Sequence, residues 1–305
     1  MNEGVMETGR SHEGRPHDLR DPRAEASPSR VRLELLGGFS LLIGGTLVAV
    51  PPASERLLAF VATYCRGAVP RALVAARLWP DAPERCAYAN LRSTLSRMCS
   101  IGRTALDVTS YTVCLAQDAS VDLRRSRALA ALVLAPGSST RDRGFGVETV
   151  TELSADLLPG WYEDWAVQEA EAWRYLRTHA LGTLAEDFIA SRRYAEAVIA
   201  AHAAVRADPL RESSCATLIR AHLAEGNAAQ ALREFDRYVR RLRAEMGLEP
   251  PPRLCRLIAG VRPSDVRSDP RNVPGRADRS RPGDERSPSV TGNTGHGCGA
   301  PPRVV

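Results

Sequence analysis

The sequence predicts a mainly α-helical chain with a small β component: a strand-framed three-helix module, then an all-α array of paired helices. Three observations predict it. Short alternating apolar runs at residues 31–50 and 105–115 bracket three stripes of helical spacing. Tyr194-Ala195-Glu196-Ala197-Val198 returns about 34 residues later as Ala228-Ala229-Gln230-Ala231-Leu232, the period of a tetratricopeptide repeat. Charge divides with the two parts, since eleven arginines meet seven carboxylates between Val31 and Arg125, whereas fourteen meet sixteen over residues 150–261.

Residues 1–30 carry Pro16, Pro22 and Pro28 among polar residues and no period, so they are expected to be a disordered tail. Val31–Leu35 alternates as a strand, and Phe39–Val50 reads as two strands around a Gly44-Gly45 turn. Ser54 is expected to cap a first helix with Leu57, Leu58, Val61, Ala62 and Cys65 as its apolar stripe. Pro70 opens a second helix whose Leu73, Val74, Leu78 and Trp79 point inward. Asp81 and Glu84 form a capping-box-like start for a third, which Gly102 closes. On that helix Ala87, Tyr88, Leu91, Leu95 and Met98 share one face; Ala89, Asn90, Ser93, Ser96 and Arg97 share the other, with Arg92 at its edge. Ala105–Val108 and Tyr111–Leu115 pair as a hairpin around Thr109-Ser110. Sheet, three helices and hairpin make a winged helix-turn-helix over residues 31–118, with the third helix as reader and the hairpin as wing.

The polar face of the third helix has the side chains that duplex DNA requires. Asn and Arg bond bidentately to adenine and guanine edges, and small residues let a backbone approach closely. The candidate DNA-binding set is therefore Asn90, Arg92, Ser93, Ser96 and Arg97, with Thr109 on the wing. Taken alone, the same pattern also describes an ordinary amphipathic helix with a solvated side. The positive balance of this half points to phosphate as its partner.

Residues 119–261 are expected to form the second domain. A helix begins at Val121–Leu129, and a flexible loop runs from Pro136 to Gly146 and on to about residue 150. Leu157–Trp165 leads into a long helix carrying Trp173, Leu176 and Leu181, where the tryptophans read as core and docking residues. Leu184, Ala185, Phe188, Ala197, Ala201, Ala204 and Pro209 fall at the repeat's consensus positions, answered by Leu218, Ile219, His222, Ala231, Phe235 and Tyr238. His222 stands at an aromatic position and reads as a packed histidine. Arg233, Arg237, Arg240, Arg241 and Arg243 alternate with Glu234, Asp236 and Glu245, as a solvated helix face does, and Gly247 with Pro250–Pro252 stops the helix. Residues 262–305 return to Pro, Gly, Arg and Ser and are expected to be a second disordered tail.

Composition excludes several chemistries. With no lysine in its 305 residues the chain has neither a Walker-A lysine nor a Schiff-base lysine. No Ser-His-Asp order, carboxylate pair or Gly-rich phosphate loop has supporting context, so the chain is read as a non-enzyme without a cofactor. Seven cysteines lie far apart without a Cys-x-x-Cys, which favours free buried thiols over a metal site. No apolar run reaches membrane-spanning length and no hydrophobic leader is seen, which places the protein in a reducing cytoplasm away from membranes.

Pro51–Phe60, Leu78-Trp79-Pro80-Asp81 and Ala89–Arg97 together resemble the amino-terminal domain of the SARP family of bacterial transcriptional activators. The stretch from Leu157 through Ala207-Asp208-Pro209-Leu210-Arg211-Glu212 to Gly247-Leu248-Glu249-Pro250 resembles the bacterial transcriptional activation domain that accompanies it. The resemblance implies an OmpR-like winged helix on double-stranded promoter DNA, with the third helix in the major groove. It also implies helical repeats that contact RNA polymerase or a second protomer, homo-oligomerisation on DNA, and control of secondary-metabolism genes. Met98-Cys99-Ser100 and Thr109-Ser110-Tyr111-Thr112 stand where family members carry further basic residues, which implies a weaker monomer and a shallower salt dependence. The alternative is a tetratricopeptide-like interaction module with degenerate DNA binding.

Overall fold

Val31 and Leu33 are buried while Arg32 is exposed, the alternation that makes β1 (Val31–Glu34) a strand over a core. The computed structural model describes residues 30–64, 67–136 and 143–261; the two expected tails, apart from Arg30 at the edge of the first, lie outside these, as do Cys65 and Cys298. β1 pairs antiparallel with β2 (Ser40–Ile43), which turns into β3 (Thr46–Leu47) through Gly44 and Gly45 at φ 59° and 82°. A two-residue hairpin turn of this hand requires that pair of left-handed residues.

Helix α1 (Pro52–Tyr64) starts earlier than the expected cap. Pro52 suits a first turn because its missing N–H has no partner to lose, and Ser54 is instead buried inside the helix with its hydroxyl unbonded. A two-residue strand, β4 (Val69–Pro70), precedes α2 (Arg71–Leu78). Val74, Ala75 and Leu78 are the buried side of α2; Leu73, expected inward, lies 37% exposed because so short a helix covers only one narrow stripe. Helix α3 (Glu84–Arg97) begins after Pro83 without any side-chain cap, so Asp81 does not cap it. Gly102 does not close it either. It sits in the one-turn α4 (Ser100–Arg103), and the end of α3 is held by Arg103 donating to the Leu95 carbonyl at 2.9 Å. The apolar face behaves as expected, with Ala87, Leu91, Leu95 and Met98 buried and Tyr88 half-buried at its margin.

Strands β5 (Leu106–Val108) and β6 (Thr112–Leu115) form the wing hairpin, and β4 adds to β6 to give the order β4-β6-β5. The chain then returns as β7 (Ala119–Val121), which pairs parallel with β1 and makes a four-stranded sheet of order β3-β2-β1-β7. Three residues are too short a run to give a strand signal, which is why β7 is invisible until its partner is known.

Helix α5 (Asp122–Leu134) follows as expected. Helix α6 (Val147–Ser154) lies partly within the range expected to be loop, whose residues 137–142 are outside the described ones. Its Val147, Thr149, Val150 and Thr151 are β-branched and read poorly as helix, yet Thr149, Val150 and Leu153 are buried against the array. The array itself is α7 (Asp164–Ala190), α8 (Tyr194–Ala207), α9 (Glu212–Ala224), α10 (Ala228–Met246) and α11 (Pro252–Ala259). All the repeat positions expected to pack are buried except half-buried Pro209, and the small Ala197, Ala200, Ala201 and Ala204 let α8 lie close to its neighbours. His222 is buried as expected, 3.6 Å from the Glu225 carboxylate. Gly247 at φ 66° ends α10 in the left-handed cap.

The two parts are joined rather than merely linked. Leu36 bridges Leu157, the Leu158 N–H donates to Leu35 O at 2.9 Å, and Gly37 N–H donates to Asp156 O at 2.7 Å. Beside this seam Phe60 of α1 meets Trp165 edge-on at 5.3 Å, Trp165 meets Trp161 at 6.0 Å, and Arg56 pairs with Glu163 at 2.8 Å. From α7, Trp173 Nε1 donates to Ala155 O at 2.9 Å and Arg177 bonds Ser154 O and Asp156, which fixes the segment that meets β1. The tryptophans are thus core and docking residues. Leu158 itself, 2% exposed, is held at φ 45°.

The expectation of buried thiols needs correction. Cys86 and Cys99 are exposed, Cys114 and Cys255 half-buried, and Cys215 alone of the five described is buried. Burial, with Glu234 and Glu212 nearby, pushes the Cys215 thiol up to about 12. In native protein at pH 8, mass spectrometry after iodoacetamide treatment should find Cys86 and Cys99 alkylated and Cys215 unmodified until denaturant is added. Trp165→Ala should lower stability to urea by about 3–5 kcal/mol, the usual cost of emptying a buried aromatic site.

Candidate nucleic-acid interface

Helix α3 presents two neighbouring rows to solvent. Cys86, Asn90, Ser93 and Arg97 follow one another at helical spacing, and Arg85, Ala89, Arg92 and Ser96 form the row beside them. Asn90, Arg92, Ser96 and Arg97 are exposed and Ser93 is half-buried. The structure therefore brings five of the six expected residues onto one open face. Within it the Ser96 hydroxyl donates to Ser93 O at 3.0 Å, and Thr94 on the buried side donates to Asn90 O at 2.9 Å.

Thr109 is exposed at the wing tip, but its side chain has a different task. Its Oγ1 accepts the Tyr111 N–H at 3.2 Å and the Thr112 N–H at 2.9 Å and pairs with the Thr112 hydroxyl at 2.9 Å. These bonds build the tip and leave Tyr111, 83% exposed, as its most prominent side chain. Arg71 ties α2 to the same loop. Its N–H donates to Tyr111 O at 2.8 Å and its guanidinium to Thr109 O at 3.3 Å.

Between wing and helix lies an open cleft of about 590 Å³ lined by Arg71, Glu84, Arg85, Tyr88, Arg92 and Ser110. Three guanidinium groups against one carboxylate make its field positive, which suits a phosphate backbone. The sequence pattern did not single out Arg71, Arg85 or Tyr111. Arg85 was legible, being seven residues before Arg92 on the same row. Arg71 and Tyr111 meet only through the β4–β6 pairing, which carries no local signal.

By contrast, three of the arginines of α10 are paired with carboxylates of their own helix or its end. Arg237 pairs with Glu234 at 2.5 Å, Arg241 with Glu245 at 3.2 Å and Arg243 with Glu249 at 2.6 Å. That is the solvated face expected of them. Among the described residues no group of three or more His, Cys, Asp or Glu is placed to hold a metal ion, and no helix is long and apolar enough to cross a membrane.

Residues 147–262 match the family model described as the bacterial transcriptional activator domain. Among solved structures the chain is similar to Mycobacterium tuberculosis EmbR in complex with low affinity phosphopeptide, at 23% identity and a TM-score of 0.55. The likeness covers 76% of this chain and 65% of that one, so the chain spans just under two thirds of that protein's length. No curated protein matches. At this identity the structural likeness is one of fold, and the domain match covers the helical array alone.

The bonds at the wing tip carry a direct expectation. Thr109→Ala removes an acceptor worth about 1 kcal/mol, so the Tyr111 and Thr112 amides should exchange with deuterium about fivefold faster while the amides of α3 are unaffected.

Proposed function

We propose that this chain, whose residues 147–262 match the bacterial transcriptional activator domain, is a transcriptional regulator of the SARP type that binds double-stranded promoter DNA through the exposed face of α3. The wing and the arginine-lined cleft grip the adjoining backbone. Asn90 and Ser93 read bases, Arg92 and Arg97 share base and phosphate contacts, and Arg71 and Arg85 hold phosphate. The helical repeats contact RNA polymerase or a second protomer, and the protein works in the cytoplasm as a homo-oligomer on DNA.

One observation carries this reading: the polar rows of α3 stand open to solvent while the helical array docks elsewhere, on α1 and the end of β1. Among the described residues nothing covers that face of α3. Charge supports it as well, since the winged-helix half is net positive and the array net negative. Each base-reading pair should contribute about 1–3 kcal/mol of discrimination.

Titration of the full chain with duplex from its own upstream region, across a series of salt concentrations, tests the proposal. Saturable binding that weakens with salt is expected, and Arg92→Ala with Arg97→Ala should abolish specific binding while leaving the helical circular dichroism unchanged. A flat, unsaturable signal from the unaltered chain would instead favour an interaction module with degenerate DNA binding.

A further inference from the structure

Away from the nucleic-acid face, α7 and α9 enclose a second polar cavity of about 290 Å³, close to the lower size of small-molecule sites. Arg211, at the turn into α9, dominates one wall. Its Nε donates to the Ser213 hydroxyl at 2.9 Å, and another of its nitrogens lies 3.0 Å from His179 Nε2. The same guanidinium lies 5.8 Å from the ring of Tyr175, which packs edge-on to His179 at 4.5 Å. A hydroxyl and two rings thus hold this cation in place. Burial and the charge of Arg211 push the His179 imidazole below its ordinary value, which favours its uncharged form.

The opposite wall is already balanced. Glu186 accepts from Arg220 and from the Thr217 hydroxyl, the latter at 2.6 Å, while the Nε of Arg220 is buried without a partner. The carboxylate is therefore committed to Arg220, and the charge of Arg211 is left over. Between the walls stands Gly182, in the middle of the 27-residue α7. Glycine disfavours helix, and a Cβ placed there would meet no atom within 4 Å. Packing does not demand this glycine. Its effect is to keep the cavity open.

We propose that this cavity binds an oxyanion, a phosphate monoester or carboxylate carried on a small molecule, with Arg211 as the principal cation and the Ser213 hydroxyl beside it. Such a ligand would lie within the helical array and at a distinct place from DNA.

Calorimetric titration of the full chain with glycerol 3-phosphate and inorganic phosphate in one arm, and with succinate in the other, tests the proposal. Saturable binding in at least one arm is expected, and the arm that binds identifies the oxyanion. Arg211→Ala should weaken binding about tenfold or more, and Gly182→Leu, which fills the space, should remove it with the melting temperature maintained. The variant with Arg92→Ala and Arg97→Ala should bind as the unaltered chain does. Absence of saturable binding in both arms, an affinity unchanged by Gly182→Leu, or loss of binding in the α3 double variant would each overturn the proposal. Should Arg211→Ala fail to fold, Gly182→Leu decides alone.

Discussion

The carboxylate of Asp122 accepts the backbone N–H groups of Leu35, Leu36 and Leu123 at 2.6–3.0 Å, and the arrangement of both halves follows from it. Leu35 lies just past the end of β1, where the sheet no longer supplies acceptors, and a buried amide left unmatched costs about 1–3 kcal/mol. By serving those amides from the start of α5, Asp122 anchors that helix to the sheet. The carbonyl of Leu35 and the amide of Gly37 then remain free to meet Leu158 and Asp156. One short strip of backbone is thus shared by the module that carries α3 and the array that follows. The orientation of α3 relative to the repeats is set by these few polar bonds, with the aromatic cluster of Phe60, Trp161 and Trp165 packed around them.

Arginine is used in two physically different ways. Along α10 several guanidinium groups face carboxylates on the same helix or at its end, an arrangement that keeps a surface soluble and leaves little net field. Around α3 and the wing, Arg71, Arg85 and Arg92 share a cleft with a single carboxylate, Glu84. The difference lies in what surrounds the arginines rather than in their number.

The helices, their apolar faces and the wing hairpin were legible because periodicity is local: Leu91 and Leu95 declare the buried side of α3, and Ala197 and Ala231 the register of the repeats. The open face of α3 was legible for the same reason, as its complement. Features that depend on distant partners were not. β7 is a strand only because β1 lies beside it, and Arg71 reaches the wing only because β4 joins β6. Caps misled where a polar residue stood near a helix start already fixed by proline, as with Ser54 behind Pro52 and Asp81 before Pro83. Thr109 was rightly placed at the tip, but its hydroxyl faces its own loop, which spacing alone does not reveal.

Leu158 adds a mechanical side to the seam. A branched-side-chain residue at φ 45° occupies a backbone region that costs it on the order of 1–3 kcal/mol, and it is kept there by burial and by its bond to Leu35. Parting the two halves would let that torsion relax, so the joint is a loaded spring whose release partly offsets the cost of separation. A modest pull on the repeats would then tilt α3 against them without unfolding either half.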